Sequence, residues 1–144
     1  MAFLAGEVIT AARLNRLQST TYSAIGTTTI AASSTNVDVP SATVTFTTET
    51  AGATYRAFCV WDFNSLGASA GSSTGRLVVD AANQLPLAVF RQDATADRGT
   101  QAQNYTGTLG TAGSHTLKLI VSTSTNTECL GSNCSIIVEI TEVA

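Results

Sequence analysis

The chain has little charge of either sign. Only 12% of its 144 residues are charged, the net charge is −3, and Lys118 is the only lysine. No run of lysine or arginine is present, and phosphate binding needs clustered cations, so we expect no nucleic-acid partner. The hydrophobic fraction of 44% excludes a disordered chain. A surface so weakly charged is unusual for a freely diffusing monomer and favours a chain that hides part of its surface in an assembly.

Long apolar runs are also missing. No stretch is long enough to span a bilayer, so we expect no membrane insertion. The N-terminal segment lacks a basic region, and Glu7 interrupts its apolar residues, which argues against a secretory signal peptide. We therefore expect mature protein from Met1 onward, made in a cytoplasm. The length fits one domain with a real core.

Residues that carry chemistry are few and scattered. His115 is the only histidine, which leaves no ligand set typical of zinc. Calcium needs six to eight oxygens, and nothing in the sequence supplies them beyond Asp93 and Asp97. The carboxylates that might be paired for acid–base work are equally typical of a solvated surface: Asp62, Asp80, Asp93 and Asp97. We expect no cofactor, no metal and no enzymatic activity.

The three cysteines have different settings. Cys129 and Cys134 bracket Leu-Gly-Ser-Asn, which can bend back far enough for a disulfide; two reduced thiols in a hairpin loop fit equally well. Because the loop is short, the bond would stabilise less than the roughly 3 kcal/mol expected for a 15-residue loop. Cys59, beside Trp61, is more typical of a core residue than of a nucleophile.

What the chain does contain is one helical segment, within residues 1–18. Thr10 is a good N-cap, and the residues after it are tolerable or strong helix formers. Ile9 and Leu14 form a plausible hydrophobic staple, and Leu14 and Leu17 share a face. So short a helix is unstable alone and must pack on its own domain, a sister subunit or a larger partner. The expected docking residues of this arm and helix are Phe3, Leu4, Ile9, Leu14 and Leu17.

Residues 19–144 are predicted to form a second unit made of strands. Apolar and polar residues alternate, and Gly-rich turns separate the strands. The expected strands cover residues 42–49, 54–63, 76–80, 86–90, 115–122 and 135–143. We expect residues 66–75 and 91–100 to be loops. The chain is therefore predicted to be mainly β, an antiparallel β-sandwich or jelly roll preceded by a short arm and α-helix.

The strand at residues 54–63 is apolar on both faces. Tyr55, Cys59 and Trp61 occupy one face, while Phe58 and Val60 lie on the other. The outer face of a monomeric sandwich is usually polar. Phe58 and Val60 are therefore predicted either to form a subunit interface or to be covered by a loop or by the N-terminal helix.

A family resemblance rests on residues 3–15, Phe-Leu-Ala-Gly-Glu-Val-Ile-Thr-Ala-Ala-Arg-Leu-Asn. This phrase resembles the opening of many small virion proteins of tailed phages, especially those of actinobacteria, with Ile9 in place of the usual leucine. Residues 44–46, 55–63, 112–121 and 136–143 resemble the jelly-roll domains of phage fibre and decoration proteins, which are related in shape to the tumour-necrosis-factor fold.

The resemblance implies a virion structural protein, assembled in the host cytoplasm, whose partners are other virion proteins. It implies a homo-oligomer, commonly a trimer. We favour a minor tail or fibre component over a capsid decoration protein. A further alternative is a module that binds a host-surface glycan or protein receptor through residues 64–75 and 91–100, because loops on a rigid scaffold carry binding.

Overall fold

The computed structural model describes residues 10–143, and it is mainly β, as predicted. Two antiparallel sheets pack face to face behind one short α-helix, α1 (Ala11–Arg16). The strands are β1 (Thr20–Ile25), β2 (Val37–Thr48), β3 (Ala53–Ser65), β4 (Gly71–Val79), β5 (Ala82–Asn83), β6 (Ala88–Gln92), β7 (Arg98–Leu109), β8 (Gly113–Ser122), β9 (Thr127–Cys129) and β10 (Ser135–Thr141). A 3-10 turn at Gly131–Asn133 lies between β9 and β10.

The two sheets have different strand orders. The first runs β1-β10-β3-β7, with β9 paired to the end of β3. The second runs β2-β8-β4-β5, with β6 paired to β4. Every strand pair is antiparallel, and the core lies between the sheets. This jelly-roll β-sandwich confirms the predicted fold class.

Strand β3 contributes the largest share of aromatic side chains to the core. Tyr55, Cys59, Trp61 and Phe63 point inward, as the alternation predicted, and Trp61 and Phe63 are fully buried. Burial raises the pKa of Cys59 to about 12, so its thiol stays protonated near neutral pH. The structure therefore places Cys59 in the core.

Both predicted loops are shorter in the structure. Strand β4 begins at Gly71, so residues 71–75 are strand and the loop is 66–70. Its small residues are needed there, since a Cβ at Gly75 would lie 2.5 Å from the Trp61 ring. Likewise β6 extends to Gln92 and β7 begins at Arg98, which leaves residues 93–97 as the loop. A polar composition alone was a poor guide to these strand ends.

The sandwich has two distinct ends. The first, the helix end, holds α1, the turn after β2 and the end of β10, where Arg16 meets Glu49 and Glu142 binds the backbone of Glu49. The second, the loop end, gathers residues 31–36, 66–70, 93–97 and 123–126. Strands β2, β3 and β8 run the full length between the two ends.

Candidate functional site

Helix α1 lies against the sandwich without burying any of its residues. Thr10 is its N-cap, as predicted, and its hydroxyl accepts a hydrogen bond from the Arg13 backbone N–H at 3.2 Å. Leu14 is 50% exposed and Leu17 is partly exposed. The helix therefore presents apolar surface that its own domain leaves open.

The described contact between α1 and the sandwich is polar. An Arg16 nitrogen lies 3.4 Å from a Glu49 carboxylate oxygen, and Glu49 is 70% exposed. Beside it, a groove of about 350 Å³ is lined by residues that include Asn15, Tyr22 and Glu142. An ion pair with so exposed a partner contributes about 1 kcal/mol or less.

Four loops meet at the loop end through backbone hydrogen bonds. The Ser65 N–H donates to the Asp97 carbonyl and the Leu66 N–H donates to the Asn126 carbonyl, both at 2.7 Å. Ser33 N–H donates to the Ser124 carbonyl at 3.0 Å. The loops that the sequence suggested as a recognition surface are thus neighbours, and residues 31–36 and 123–126 join them.

Gln92 anchors this end from inside. Its side chain is 3% exposed, its Nε2 donates to the Ser69 carbonyl at 2.9 Å, and its Oε1 accepts from the Thr127 hydroxyl. Two shallow depressions, of about 500 and 270 Å³, flank it. They are lined by Ser, Thr, Asn, Arg and Asp with small Gly and Ala residues, and no aromatic side chain is among the lining residues.

The outward face of the first sheet carries an apolar patch. Strand register places Ile25, Val60 and Ala102 in one row across the sheet, and Ile137 and Phe58 in the next. Ile25 is 64% exposed and Ile137 is 44% exposed, while Phe58 and Val60 are partly exposed. We call these five residues the outward patch.

Charged pairs border the outward patch on both sides. Toward the helix end, Arg56 and Glu139 face each other at 3.9 Å, and the Arg56 guanidinium lies 5.5 Å from the Phe58 ring centre. Toward the loop end, Arg98 pairs with Asp62 at 2.6 Å. Each border therefore contains one cation and one anion.

The outward face of the second sheet differs. Thr43, Thr45 and Thr47 of β2 are exposed, and Lys118 of β8 pairs with Asp38 at 2.8 Å. Val78 and Ile120, which also lie on this face, are 5% exposed, and Val89 of β6 is 45% exposed. The part of the face formed by β2 is therefore rich in hydroxyl groups that water can satisfy.

Asp62 is a buried carboxylate, and both of its oxygens accept hydrogen bonds. It is 2% exposed and accepts from the Arg98 guanidinium and from Asn133 Nδ2 at 2.7 Å. Burial on its own raises the pKa of Asp62, but the hydrogen bonds from Arg98 and Asn133 outweigh it, and the pKa is lowered. The cluster ties β3, the start of β7 and the 3-10 turn together.

The buried His115 pairs with Asp80, whose side chain is 42% exposed. The imidazole is 2% exposed; its Nδ1 lies 2.5 Å from Asp80 Oδ2 and its Nε2 lies 3.1 Å from the Thr111 carbonyl. Asp80 also accepts from the Thr116 N–H. Burial alone would raise the pKa of Asp80. The hydrogen bonds from His115 and Thr116 have a larger opposite effect, so the pKa of Asp80 is lowered. The pair lies near the helix end, where Asp80 lines a depression of about 330 Å³ together with residues that include Tyr55 and Gln84.

Cys129 and Cys134 lie side by side in the core. Their sulfurs are 3.4 Å apart as free thiols, and both residues are fully buried. The hydrogen bond to Cys134, together with burial, raises the pKa of Cys129, whereas accepting that bond lowers the pKa of Cys134. The two cysteines are close together, as the sequence predicted. Whether they form a disulfide stays a prediction.

Within residues 10–143, no group of three or more His, Cys, Asp and Glu side chains is arranged to hold a metal ion. In the same part of the chain, no helix has the length and apolar character needed to cross a bilayer. Asp97 organises its own loop, since one carboxylate oxygen accepts the backbone N–H groups of Asp93 and Ala94 at 3.0 Å.

The predicted docking residues are only partly brought together. Phe3, Leu4 and Ile9 lie outside the described residues. Leu14 and Leu17 are at the helix end, while Phe58 and Val60 are mid-strand on the sheet face, and α1 does not cover them. Sequence reasoning missed Ile25 and Ile137, although the Ile-Ile-Val run at 136–138 signalled a strand that is apolar on both faces.

No protein-family model and no curated protein matches the chain. Among solved structures, murine APRIL is 6% identical with a TM-score of 0.52, covering 87% of this chain and 100% of APRIL. A CBM36-1 domain of a xylanase from the hindgut metagenome of Trinervitermes trinervoides is 11% identical, TM-score 0.40, over 88% of this chain and 99% of that domain. Latent PorU from Porphyromonas gingivalis is 12% identical, TM-score 0.43, over 69% of this chain and 10% of PorU. At 6% identity the likeness to APRIL concerns the fold alone, and it supports the jelly-roll architecture.

Proposed function

We propose that this chain is a structural protein of a tailed-phage virion, attached through its helix end and projecting its sandwich outward. The observation that carries the proposal is the separation of the two ends: α1 offers unburied leucines at one end, and four polar loops gather at the other. An attachment element and a presented surface belong at opposite ends of a projecting domain. The resemblance of residues 3–15 to virion proteins supplies the kind of particle.

The proposal assigns docking to Leu14 and Leu17 together with Phe3, Leu4 and Ile9. A helix of six residues is marginal in water and gains most of its stability from packing. Seating its exposed leucines on another virion protein provides that packing. We favour a minor tail or fibre position, with decoration of the capsid surface as the alternative.

Purified particles test this role. We expect Leu14→Asp with Leu17→Asp to reduce the copies of this chain per particle at least tenfold, measured by quantitative mass spectrometry. The matched control is Ser69→Asp at the loop end, which should keep wild-type occupancy. Wild-type occupancy of the double variant, or absence of the native chain from particles, would refute the attachment role. Immunogold labelling of native particles then separates tail from capsid.

A second candidate function is recognition of a host-surface receptor by the loop end. The convergence of four loops around Gln92 favours it, because polar groups on a rigid scaffold can form directional hydrogen bonds. The depressions there lack an aromatic platform on which a sugar ring would stack, so a protein receptor fits them better than a glycan. Equal adsorption to host cells of virions carrying wild-type protein and Asn126→Asp, Thr125→Glu protein would argue against it.

A further inference from the structure

The outward patch is the clearest surface that the attachment role leaves unexplained. An apolar residue standing alone on a surface needs no explanation, but contiguous apolar side chains on a sheet face mark an interaction site. Val60 pairs directly with Ala102, and Ser135 of β10 separates Val60 from Ile25 in the same row. Phe58 and Ile137, directly paired, form the adjoining row.

Neighbouring strands lie about 4.8 Å apart and alternate residues of a strand about 6.7 Å apart. The side chains of Ala102, Val60, Phe58 and Ile137 therefore form a continuous surface, and Ile25 lies diagonally beside Ile137. In residues 10–143 no second layer covers this surface, because Ile25 and Ile137 remain 64% and 44% exposed. On the outward face of the second sheet, Val78 and Ile120 are buried, Val89 is 45% exposed and the threonines of β2 are exposed. On the first face the directly paired Phe58 and Ile137 remain open to solvent, and burial in an interface accounts for their composition.

The charged residues that border the outward patch indicate which kind of partner would bind there. Arg56 is 65% exposed and Glu139 is 39% exposed, so each can exchange its present partner for the equivalent residue of another molecule. On the opposite border Asp62 is 3% exposed and is already bound by Arg98, so the charge there is neutralised within the chain. A face whose exposed border pair holds one cation and one anion complements itself and has no net attraction for a strongly charged partner.

We propose that the outward patch is the interface through which copies of this chain associate. Residues Phe58 and Ile137 form its centre, and the Arg56–Glu139 pair re-forms between copies at its margin. The interface lies on the side of the sandwich, so association leaves both the helix end and the loop end free. Several copies would then present their helix ends side by side to the particle.

The oligomeric state of the full-length purified chain tests the proposal. Sedimentation equilibrium and light scattering should give a mass of at least two copies of the 14.8 kDa chain. The resemblance implies a trimer. Phe58→Glu and Ile137→Glu should each shift the wild-type oligomer to monomer at equal concentration. Thr45→Glu, a matched control on the outward face of the second sheet, should leave the mass unchanged. Circular dichroism and thermal melting establish that each variant is folded.

A wild-type chain that is monomeric throughout the accessible concentration range would overturn the inference, as would an oligomer that survives both glutamate substitutions. If the substituted chains fail to fold, hydrogen exchange on the wild type decides. Peptides that contain Val60 and Ile137 should gain protection as concentration rises, and those that contain Thr45 should not; the reverse pattern overturns the interface. The purified chain alone is measured, so failure here leaves the attachment proposal intact.

Discussion

The carboxylate of Asp62 is charged although its side chain is buried. Because hydrogen bonds from Arg98 and Asn133 lower its pKa in spite of burial, the folded chain binds this proton more weakly than the unfolded chain does. Its contribution is therefore complete above the ordinary Asp pKa of about 3.9 and is lost as pH falls through the lowered folded value. The free energy of unfolding therefore falls as the pH drops below about 4.

We expect Asp62→Asn to lower the free energy of unfolding at neutral pH by about 2 kcal/mol, because Arg98 loses its charged acceptor. Below pH ~4 the variant and the wild type should converge. Urea titrations across this pH range measure both effects. Asp38→Asn, which breaks an exposed pair with Lys118, is the control and should cost less than about 1 kcal/mol. Equal effects of the two substitutions at neutral pH would contradict this account of Asp62.

Cys129 and Cys134 are close enough for oxidation to join them after a small movement of the turn between them. A small-molecule disulfide such as oxidised glutathione would take up the two electrons and two protons that the thiols release. We expect treated protein to lose two hydrogen atoms in mass, to resist alkylation at both positions, and to melt at a higher temperature. Cys134→Ser should abolish all three changes, whereas Cys59→Ser should retain them. An unchanged mass after unfolding and refolding in the oxidant would rule out the bond.

At the scale of elements, α1 and the sandwich are expected to behave independently. None of the described helix residues is buried, and Glu49, the partner of Arg16, is 70% exposed. We therefore predict that deletion of residues 1–18 changes the free energy of unfolding by no more than about 1 kcal/mol. Chemical denaturation of the shortened chain measures this. A shortened chain that is unfolded, or that loses several kcal/mol, would show that the segment belongs to the core.

The sequence predicted those elements in which apolar and polar residues alternate. Strands β2, β3, β8 and β10 are of this kind, and their inward residues form most of the core. The first half of β4 escaped prediction because Ser73 and Gly75 are small residues that a loop also uses. Gly75 packs against Trp61 of β3, and Ser73 pairs with Phe90 of β6, so their burial depends on distant strands. Strand β1 escaped because its threonines and serine gave no apolar alternation.

The outward patch could be predicted from the sequence only in part. Phe58 and Val60 were identified from one strand, since both of its faces are apolar. Ile25 and Ile137 join them only through the register of three strands, and that register depends on contacts between distant parts of the chain. The same is true of the loop end, where four separate segments meet.

At the scale of the whole molecule, the proposals place three roles on separate parts of the sandwich. In this arrangement the helix end would attach to the particle, the loop end would be presented, and the outward patch would join copies side by side. The low charge of the chain agrees with this arrangement, because a molecule held in an assembly needs fewer surface charges to stay soluble.

A reconstruction of purified native particles by electron cryomicroscopy tests this arrangement most directly. The account predicts density for the sandwich at the particle surface with its helix end seated on a neighbouring protein, its loop end pointing away, and copies in contact through Phe58 and Ile137. Density in which the loop end faces the particle, or in which the helix end is free, would contradict it.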